Sequence, residues 1–427
     1  MDPSPKLNQY FDKDLETMDW EVRKSNLNQN FKTIFRHAFE KAGAYREWVT
    51  TAGIDPSQIR GIEDIEKLPV LRMKDLVEWQ TASPPFGELN TIDQDQISRI
   101  YVNPGLIWQP ASHESEDTSW AEALCGTGFH RGDILINTFN YHQGLLAFML
   151  DKNAMRIGAT VVPMGGGNTL MQVKTMRMLE VTGFLGTPSF LMTLAQRAES
   201  MGLDPGRDFR LRAALVGAEM LPESLRNGIE QKFDITVNQT YGTVFLGTIG
   251  YECPFRNGLH TPLNMVVEIV DPKTGKQVAP GAAGEVVATS FNKAYPMIRM
   301  ATGDLSVFSM EACPCGRTGP LIKKILGRID QAAKVHGTFI HPWQTDEVVS
   351  RFPEVYKYQV VITREDHQDM MTFQVELRGE VPNQEIIKVR LERDIKDFLT
   401  IKGVVRIIPL GTLPELHQKI DDQRKWE

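Results

Sequence analysis

At 427 residues the chain is too long for one ordinary hydrophobic core, which implies two or three domains. Its formal net charge is −7, and no Lys/Arg-rich run stands out, so nothing in it favours a nucleic-acid or anionic-membrane partner. The polar stretch Met1 to Glu16 lacks the basic start and apolar core of a signal peptide, and no apolar run approaches ~18 residues, so a soluble cytoplasmic protein is the expectation.

Residues 1–95 read as mostly helical. Trp20 to Ala44 carries apolar residues at helical spacing, with Gly43 near its end. Short helical pieces follow at Ile62–Lys67 and Lys74–Trp79, and Pro84, Pro85 and Gly87 mark Thr81–Glu88 as a loop. From about residue 97 short β-branched or apolar runs alternate with amphipathic segments. The strands expected are Ile97–Val102, Asp133–Asn137, Ala159–Pro163, Gly183–Leu185, Ala213–Val216 and Ile235–Gln239. Helices expected between them include Thr118–Gly126, Leu170–Glu180, Pro188–Met201 and Pro222–Lys232. Such alternation predicts a largely parallel sheet covered by helices. Val266–Val270, Gly284–Thr289 and Met297–Met300 then read as short antiparallel strands, with a turn at Asp271–Gly275. Beyond them Tyr358–Thr363, Met371–Leu377 and Val404–Ile408 read as strands and Asn383–Leu399 as a helix.

The fold class expected is therefore α/β. A large N-terminal domain, residues 1–328, would hold a helical part (1–95), an α/β core of mostly parallel sheet (96–262) and a small antiparallel β part (263–328). A small α+β C-terminal domain would span 329–427, with the boundary near Gly327–Asp330.

The four cysteines are too few for a disulfide scaffold of this size. Cys313 and Cys315 flank one proline in a short turn, and Cys253 and His260 lie seven residues apart across Asn257-Gly258. Three thiolates and one imidazole make a usual tetrahedral zinc shell, and with all four positions filled such a site is structural. The alternative is that these are unrelated turn cysteines and an ordinary hydrogen-bonded histidine. Cys125 lies on an expected helix among apolar neighbours and reads as core.

Several segments in order resemble the phenylacetate–CoA ligases, a branch of the acyl-adenylate-forming enzymes. The resemblance covers nearly the whole chain. It includes Ala44-Tyr45-Arg46, Ala52-Gly53-Ile54-Asp55-Pro56, Ile65-Glu66-Lys67-Leu68-Pro69, Arg131-Gly132-Asp133, the run Arg156 to Pro163, Gly166-Gly167-Asn168-Thr169 and Gly186-Thr187-Pro188-Ser189. It implies that Gly217-Ala218-Glu219 lies along an adenine, and that Tyr241-Gly242 stacks on it and approaches the acyl phosphate. It implies that Asp304 binds ribose hydroxyls, which suits a carboxylate because it accepts from both. Arg328 would contact the nucleotide and Asp330 would be the pivot of the small domain. Lys419 stands at the place of the family's catalytic lysine, which neutralises charge on the α-phosphate. Taken alone, Asp304 reads as a turn aspartate, Arg328 as a solvated charge and Lys419 as part of a polar tail; their order carries the reading. The cysteine–histidine set also resembles a metal site of some family members.

Two departures stand out. The family's phosphate loop, Ser-Ser-Gly-Thr-Thr-Gly-Lys-Pro, aligns here with Asn103-Pro104-Gly105-Leu106-Ile107-Trp108-Gln109-Pro110. Leu106 and Ile107 replace two hydroxyl donors, Gln109 replaces a cation, and Pro104 removes a backbone donor. The family's Mg²⁺-binding glutamate is here Phe245, and a phenyl ring offers no oxygen ligand.

The resemblance implies an acid–thiol ligase that uses ATP, Mg²⁺ and coenzyme A on a small, aromatic or related carboxylic acid, with a homodimer as the family's suggestion. The alternative is a non-catalytic or repurposed member that binds an acyl or adenine-containing ligand, or a partner protein, without ATP-dependent adenylation. In either, the acid pocket would be lined near Asn137–His142, Gly217–Ala218 and Tyr241–Leu246, with Tyr141 and Phe245 as its aromatic walls. ATP binding separates the two.

Overall fold

The computed structural model describes residues 9–103, 107–112, 117–142, 145–329, 333–335, 338–340, 342–365, 368–379, 381–399, 401–414 and 418–424. The chain divides into two compact units, Met1–Thr302 with Val307–Lys324, and Gly303–Ser306 with Ile325–Glu427.

The first unit opens with helix Trp20–Lys41, capped by the Asp19 carboxylate, which accepts from Glu21 N at 2.9 Å. Leu27, Phe31, Ile34, Phe35 and Ala38 form its buried stripe at helical spacing. The helix ends at Lys41 and a second begins at Gly43, so the expected single element to Ala44 is two. Tyr45, fully packed, ties this region inward: its hydroxyl donates to Pro296 O at 2.9 Å and accepts from Ile298 N at 3.0 Å.

Strands β1 (Ile97–Asn103) and β2 (Ile107–Ser112) form an antiparallel hairpin of their own. The expected strand at 97–102 therefore exists, but outside the large sheet. Next come β3 (Ile134–Asn137), β4 (Thr160–Pro163), β5 (Gly183–Gly186), β6 (Ala213–Val216), β7 (Thr236–Thr243), β8 (Gly247–Tyr251), β9 (Leu259–His260), β10 (Met265–Val270), β11 (Ala283–Ser290), β12 (Met297–Ser309) and β13 (Leu321–Arg328). Among the described residues these make one sheet in the order β10-β11-β12-β13-β9-β8-β7-β6-β5-β3-β4. The pairs β4–β3, β3–β5, β5–β6 and β6–β7 are parallel, and β7–β8, β8–β9, β9–β13 and β10–β11 antiparallel. The parallel and antiparallel parts expected from sequence are thus joined at β7.

Helices cover both faces of the parallel part, which is why its central strands β5 and β6 are buried at every position rather than at alternate ones. On one face Ile136, Phe184, Ala214 and Val216 pack with Val173, Leu191, Leu194, Ile229 and Phe233 of helices Thr169–Met178, Pro188–Ser200 and Glu223–Phe233. On the other, Leu135, Leu185, Ala213 and Leu215 pack with Trp120, Leu124, Ala147 and Leu150 of helices Ser119–Gly126 and Leu146–Arg156.

In the second unit, β14 (Ala333–Val335) pairs with β15 (Thr338–Ile340), helix Pro342–Val349 follows, and β16 (Val355–Glu365) pairs with β17 (Gln368–Leu377). Helix Gln384–Leu399 and strands β18 (Val404–Ile408) and β19 (Ile420–Asp422) complete a sheet in the order β18-β17-β16-β19. Its core is Val360, Ile362, Phe373 and Val375 under Leu391 and Ile395. The molecule is α/β with an α+β C-terminal region, and no described helix is long and apolar enough to cross a membrane.

Candidate functional site

Parallel strands bring all their carboxyl ends to one edge, the usual place for a ligand in such sheets. Here the segments after β3, β5 and β6, and the end of β7, carry Asn137–Tyr141, Thr187–Ser189, Gly217–Glu219 and Tyr241–Gly242. Gly217 has no room for a side chain, since a Cβ would stand 2.8 Å from Thr240 Cγ2, and Ala218 takes a left-handed φ of 65°. The turn presents Glu219, whose carboxylate accepts from Ser189 Oγ at 2.9 Å and Ser189 N at 3.3 Å. That places a negative charge at the N-terminus of helix Pro188–Ser200, where the helix dipole favours it. Gly242 is equally constrained, because a Cβ would meet Gly247 O at 2.1 Å.

Tyr141 donates to Asp151, 2.8 Å from Oδ1 and 3.0 Å from Oδ2, and Asn137 Nδ2 donates to the same Oδ1 at 2.8 Å. Burial raises Asp151 above the ordinary carboxylate range, opposed by these two hydrogen bonds. Burial, and then the nearby Asp151, push the Tyr141 phenol up as well. Phe148 closes edge-on against Tyr141 at 5.3 Å. Asp151 carries no sequence signal; only the fold sets it opposite Tyr141. Two quoted motifs prove to be scaffold. Asp133 is buried and accepts from His130 N, Thr182 Oγ1 and Arg212, and Asn168 caps helix Thr169–Met178.

At the altered loop, 104–106 lie outside the described residues, and with them Leu106. Ile107 and Gln109 are buried. Gln109 Oε1 accepts from Asn103 Nδ2 at 2.8 Å, and its Nε2 donates to the carbonyl of Phe245 at 3.4 Å. Gln109, at the place of the family's lysine, is therefore turned inward to the residue at the place of the Mg²⁺ glutamate. Phe245 is itself buried. A phenyl ring and an engaged carbonyl do not suit Mg²⁺.

In the second unit Arg328 Nη1 stands 3.5 Å from Asp304 Oδ1, so the ribose and nucleotide candidates form one pair. Lys419 forms an ion pair with Asp346, which also accepts from Tyr358 OH at 2.6 Å. The lysine must exchange that carboxylate for any phosphate it serves. Asp330 lies outside the described residues.

Cys253, His260, Cys313 and Cys315 converge, with their ligand atoms within 4.8 Å of one another and all four residues buried. Cys253 and Cys313 sulfurs are 3.6 Å apart, and His260 Nε2 is 3.4 Å from Cys253 Sγ and 3.3 Å from Cys315 Sγ. A tetrahedral ion with Zn–S bonds of about 2.3 Å asks for sulfurs ~3.7 Å apart, so the spacing fits a metal ion. Burial holds His260 below its ordinary value, the neutral form that ligates. Hydrogen bonds from Cys253 and Cys313 drive the Cys315 thiol far down, and Arg317 N donates to its sulfur at 3.4 Å. Among the described residues no other group of three or more His, Cys, Asp or Glu side chains could hold a metal ion.

Residues 130–292 match the AMP-binding enzyme family and residues 337–424 the AMP-binding enzyme C-terminal domain. The chain is 29% identical to a phenylacetate-coenzyme A ligase of Thermus thermophilus, over 94% of this chain and 96% of that one. It is 27% identical to a phenylacetate-coenzyme A ligase of Escherichia coli, over 95% of each. Among solved structures, an open conformation of 2-hydroxyisobutyryl-CoA ligase superposes with a TM-score of 0.83 over 97% of this chain and 94% of that chain, at 23% identity. Matched from end to end by such relatives, the chain belongs to the AMP-binding, adenylate-forming enzymes and is phenylacetate–CoA ligase-like.

Proposed function

We propose that the chain joins a small carboxylic acid to a thiol such as coenzyme A through an acyl adenylate. The acid's carboxylate oxygen attacks the α-phosphorus of ATP and pyrophosphate leaves; the thiol sulfur then attacks the acyl carbon and AMP leaves. The observation that carries this reading is the end-to-end match to phenylacetate-coenzyme A ligases, which spans both the sheet-edge segments and the C-terminal part.

In this reading Gly217, Ala218 and Glu219 border the adenine, Tyr241 and Gly242 face the acyl phosphate, and Asp304 with Arg328 takes the ribose. Lys419 leaves Asp346 to meet the α-phosphate, Asp330 is the pivot of a small domain at 329–427, and Tyr141 and Phe245 wall the acid pocket. Phe245 and Gln109 do not fit Mg²⁺ held by the protein. With its triphosphate donors reduced, the enzyme should bind ATP weakly and adenylate slowly. The Cys₃His cluster suits structural zinc, which would cross-link the loops that carry its four ligands and leave no coordination position open. Three thiolates suit the reducing cytoplasm, our reading of its compartment.

The test is a calorimetric titration with ATP, paired with pyrophosphate release across a panel of aryl and short-chain acids. Acid-dependent release is expected, together with a loss of at least about tenfold in AMP affinity on Asp304→Ala. Binding of AMP or coenzyme A with no ATP binding and no pyrophosphate from any acid would overturn the reading.

A further inference from the structure

The backbone of Lys419 is pinned to strand β16. Val360 N donates to the Lys419 carbonyl at 2.8 Å, and Gln359 Nε2 donates to the carbonyl of Gln418 at 2.9 Å. Ile420 then pairs with Val360 as β19 begins. Within this unit, travel of the Lys419 ammonium is therefore travel of its side chain alone.

That side chain lies between a carboxylate and an aromatic face. Its Nζ forms an ion pair with Asp346 Oδ1 and stands 5.7 Å from the centre of the Tyr358 ring. Tyr358 is buried, stacks on Phe373 with ring centres 6.2 Å apart, and donates its hydroxyl to the same Asp346 oxygen at 2.6 Å. A packed neighbour thus holds the carboxylate before the lysine arrives. An exposed ion pair usually loses much of its Coulomb gain to the ordering of two long side chains; here only the lysine remains to be ordered. The Lys419 and Asp346 side chains are 43% and 44% exposed, so the pair can also open into water.

We infer that Asp346 is a positioning residue that holds the Lys419 ammonium whenever it is not on the α-phosphate, so that releasing this ion pair is part of the barrier to adenylation. The inference rests on the ligase reading above and adds to it a residue that sets the rate of one half-reaction. In that reading the lysine serves the attack on the α-phosphorus. The later attack of the thiol on the acyl carbon makes no demand on it.

The experiment separates the two half-reactions. Adenylation is read as acid-dependent exchange of labelled pyrophosphate into ATP, and thioester formation from acyl adenylate supplied together with coenzyme A. Asp346→Asn keeps an oxygen for the Tyr358 hydroxyl and removes the charge. It should raise the adenylation rate by about two- to fivefold, the worth of an exposed ion pair, with no such rise in thioester formation. Asp346→Glu, which restores the charge, should bring adenylation back toward the parent rate. Lys419→Ala should itself slow adenylation by about 10²-fold or more, and with it in place Asp346→Asn should change nothing further. A general effect on folding would not vanish in that way. A lower or unchanged adenylation rate in Asp346→Asn, an equal rise in both half-reactions, or a rise that persists without Lys419 would overturn the inference and leave the ligase reading standing. If no acid supports exchange or pyrophosphate release in the parent enzyme, the ligase reading falls and takes the inference with it.

Discussion

Glu122 is fully buried on helix Ser119–Gly126, where its carboxylate accepts from Leu263 N at 3.1 Å. Burial is the main force that lifts it to about 8; Glu16 adds to the rise and Arg23 opposes it. Between its ordinary value of 4.5 and about 8 the folded chain thus holds a proton that the unfolded chain has released. The stability this proton supplies is fully present below that ordinary value and is lost as pH rises through about 8. Glu122→Gln should match the parent at pH 4.5 and exceed it at pH 9 by about 1–3 kcal/mol, read by denaturant unfolding at both. Gln109 is likewise buried and turned inward. Truncation to alanine strands the buried Asn103 amide and should cost about 1–3 kcal/mol, visible as a lower melting temperature. That loss would mark Gln109 as a brace within the fold rather than a phosphate ligand. The sequence shows the substitution at this position but not the bond, because Gln109 and Phe245 are 136 residues apart.

At the scale of elements, the N-terminal stretch is fastened onto the loops that carry the Cys₃His cluster. Tyr10 OH donates to Cys315 O, Arg317 Nε meets Glu16 Oε2 at 2.6 Å with both side chains buried, and Thr318 Oγ1 donates to Met18 O at 2.8 Å. Arg23 Nη2 donates to Thr261 O at 2.6 Å, one residue from His260. Stripping the ion should therefore loosen residues 9–23, seen as new protease cuts there within a chelated but still folded sample. Unchanged cleavage would show that the stretch is held without it. Glu16→Gln leaves Arg317 as a buried charge without its counter-ion and should cost about 3–5 kcal/mol in denaturant unfolding. Most elements were legible in the sequence because their apolar periods are strong, as in helix Pro188–Ser200 and strand β6. Helix Leu146–Arg156 was not singled out: it has no capping side chain, and its polar Asp151 and Asn153 turn inward. Strands β2, β8 and β13 also escaped, being short or interrupted by glycine and lysine, and gain their identity from partners distant in the chain.

At the scale of the molecule, the order of the motifs was legible because it follows the carboxyl ends of successive parallel strands, and β3 to β7 place those ends along one edge. Metal analysis should return one ion per chain, and its removal should lower the melting temperature. A stoichiometry near zero in protein purified without chelator would remove the structural-zinc reading. Cys253 and His260 are separated from Cys313 and Cys315 by the stretch that carries β10 to β12, and Cys253 stands 60 residues before Cys313. Joining such distant points has an entropic cost that grows with the length of chain between them, so an ion captured early would shorten the search for the antiparallel half of the sheet. The yield of native enzyme, rather than its turnover, would then track how much metal is at hand while the chain is maturing.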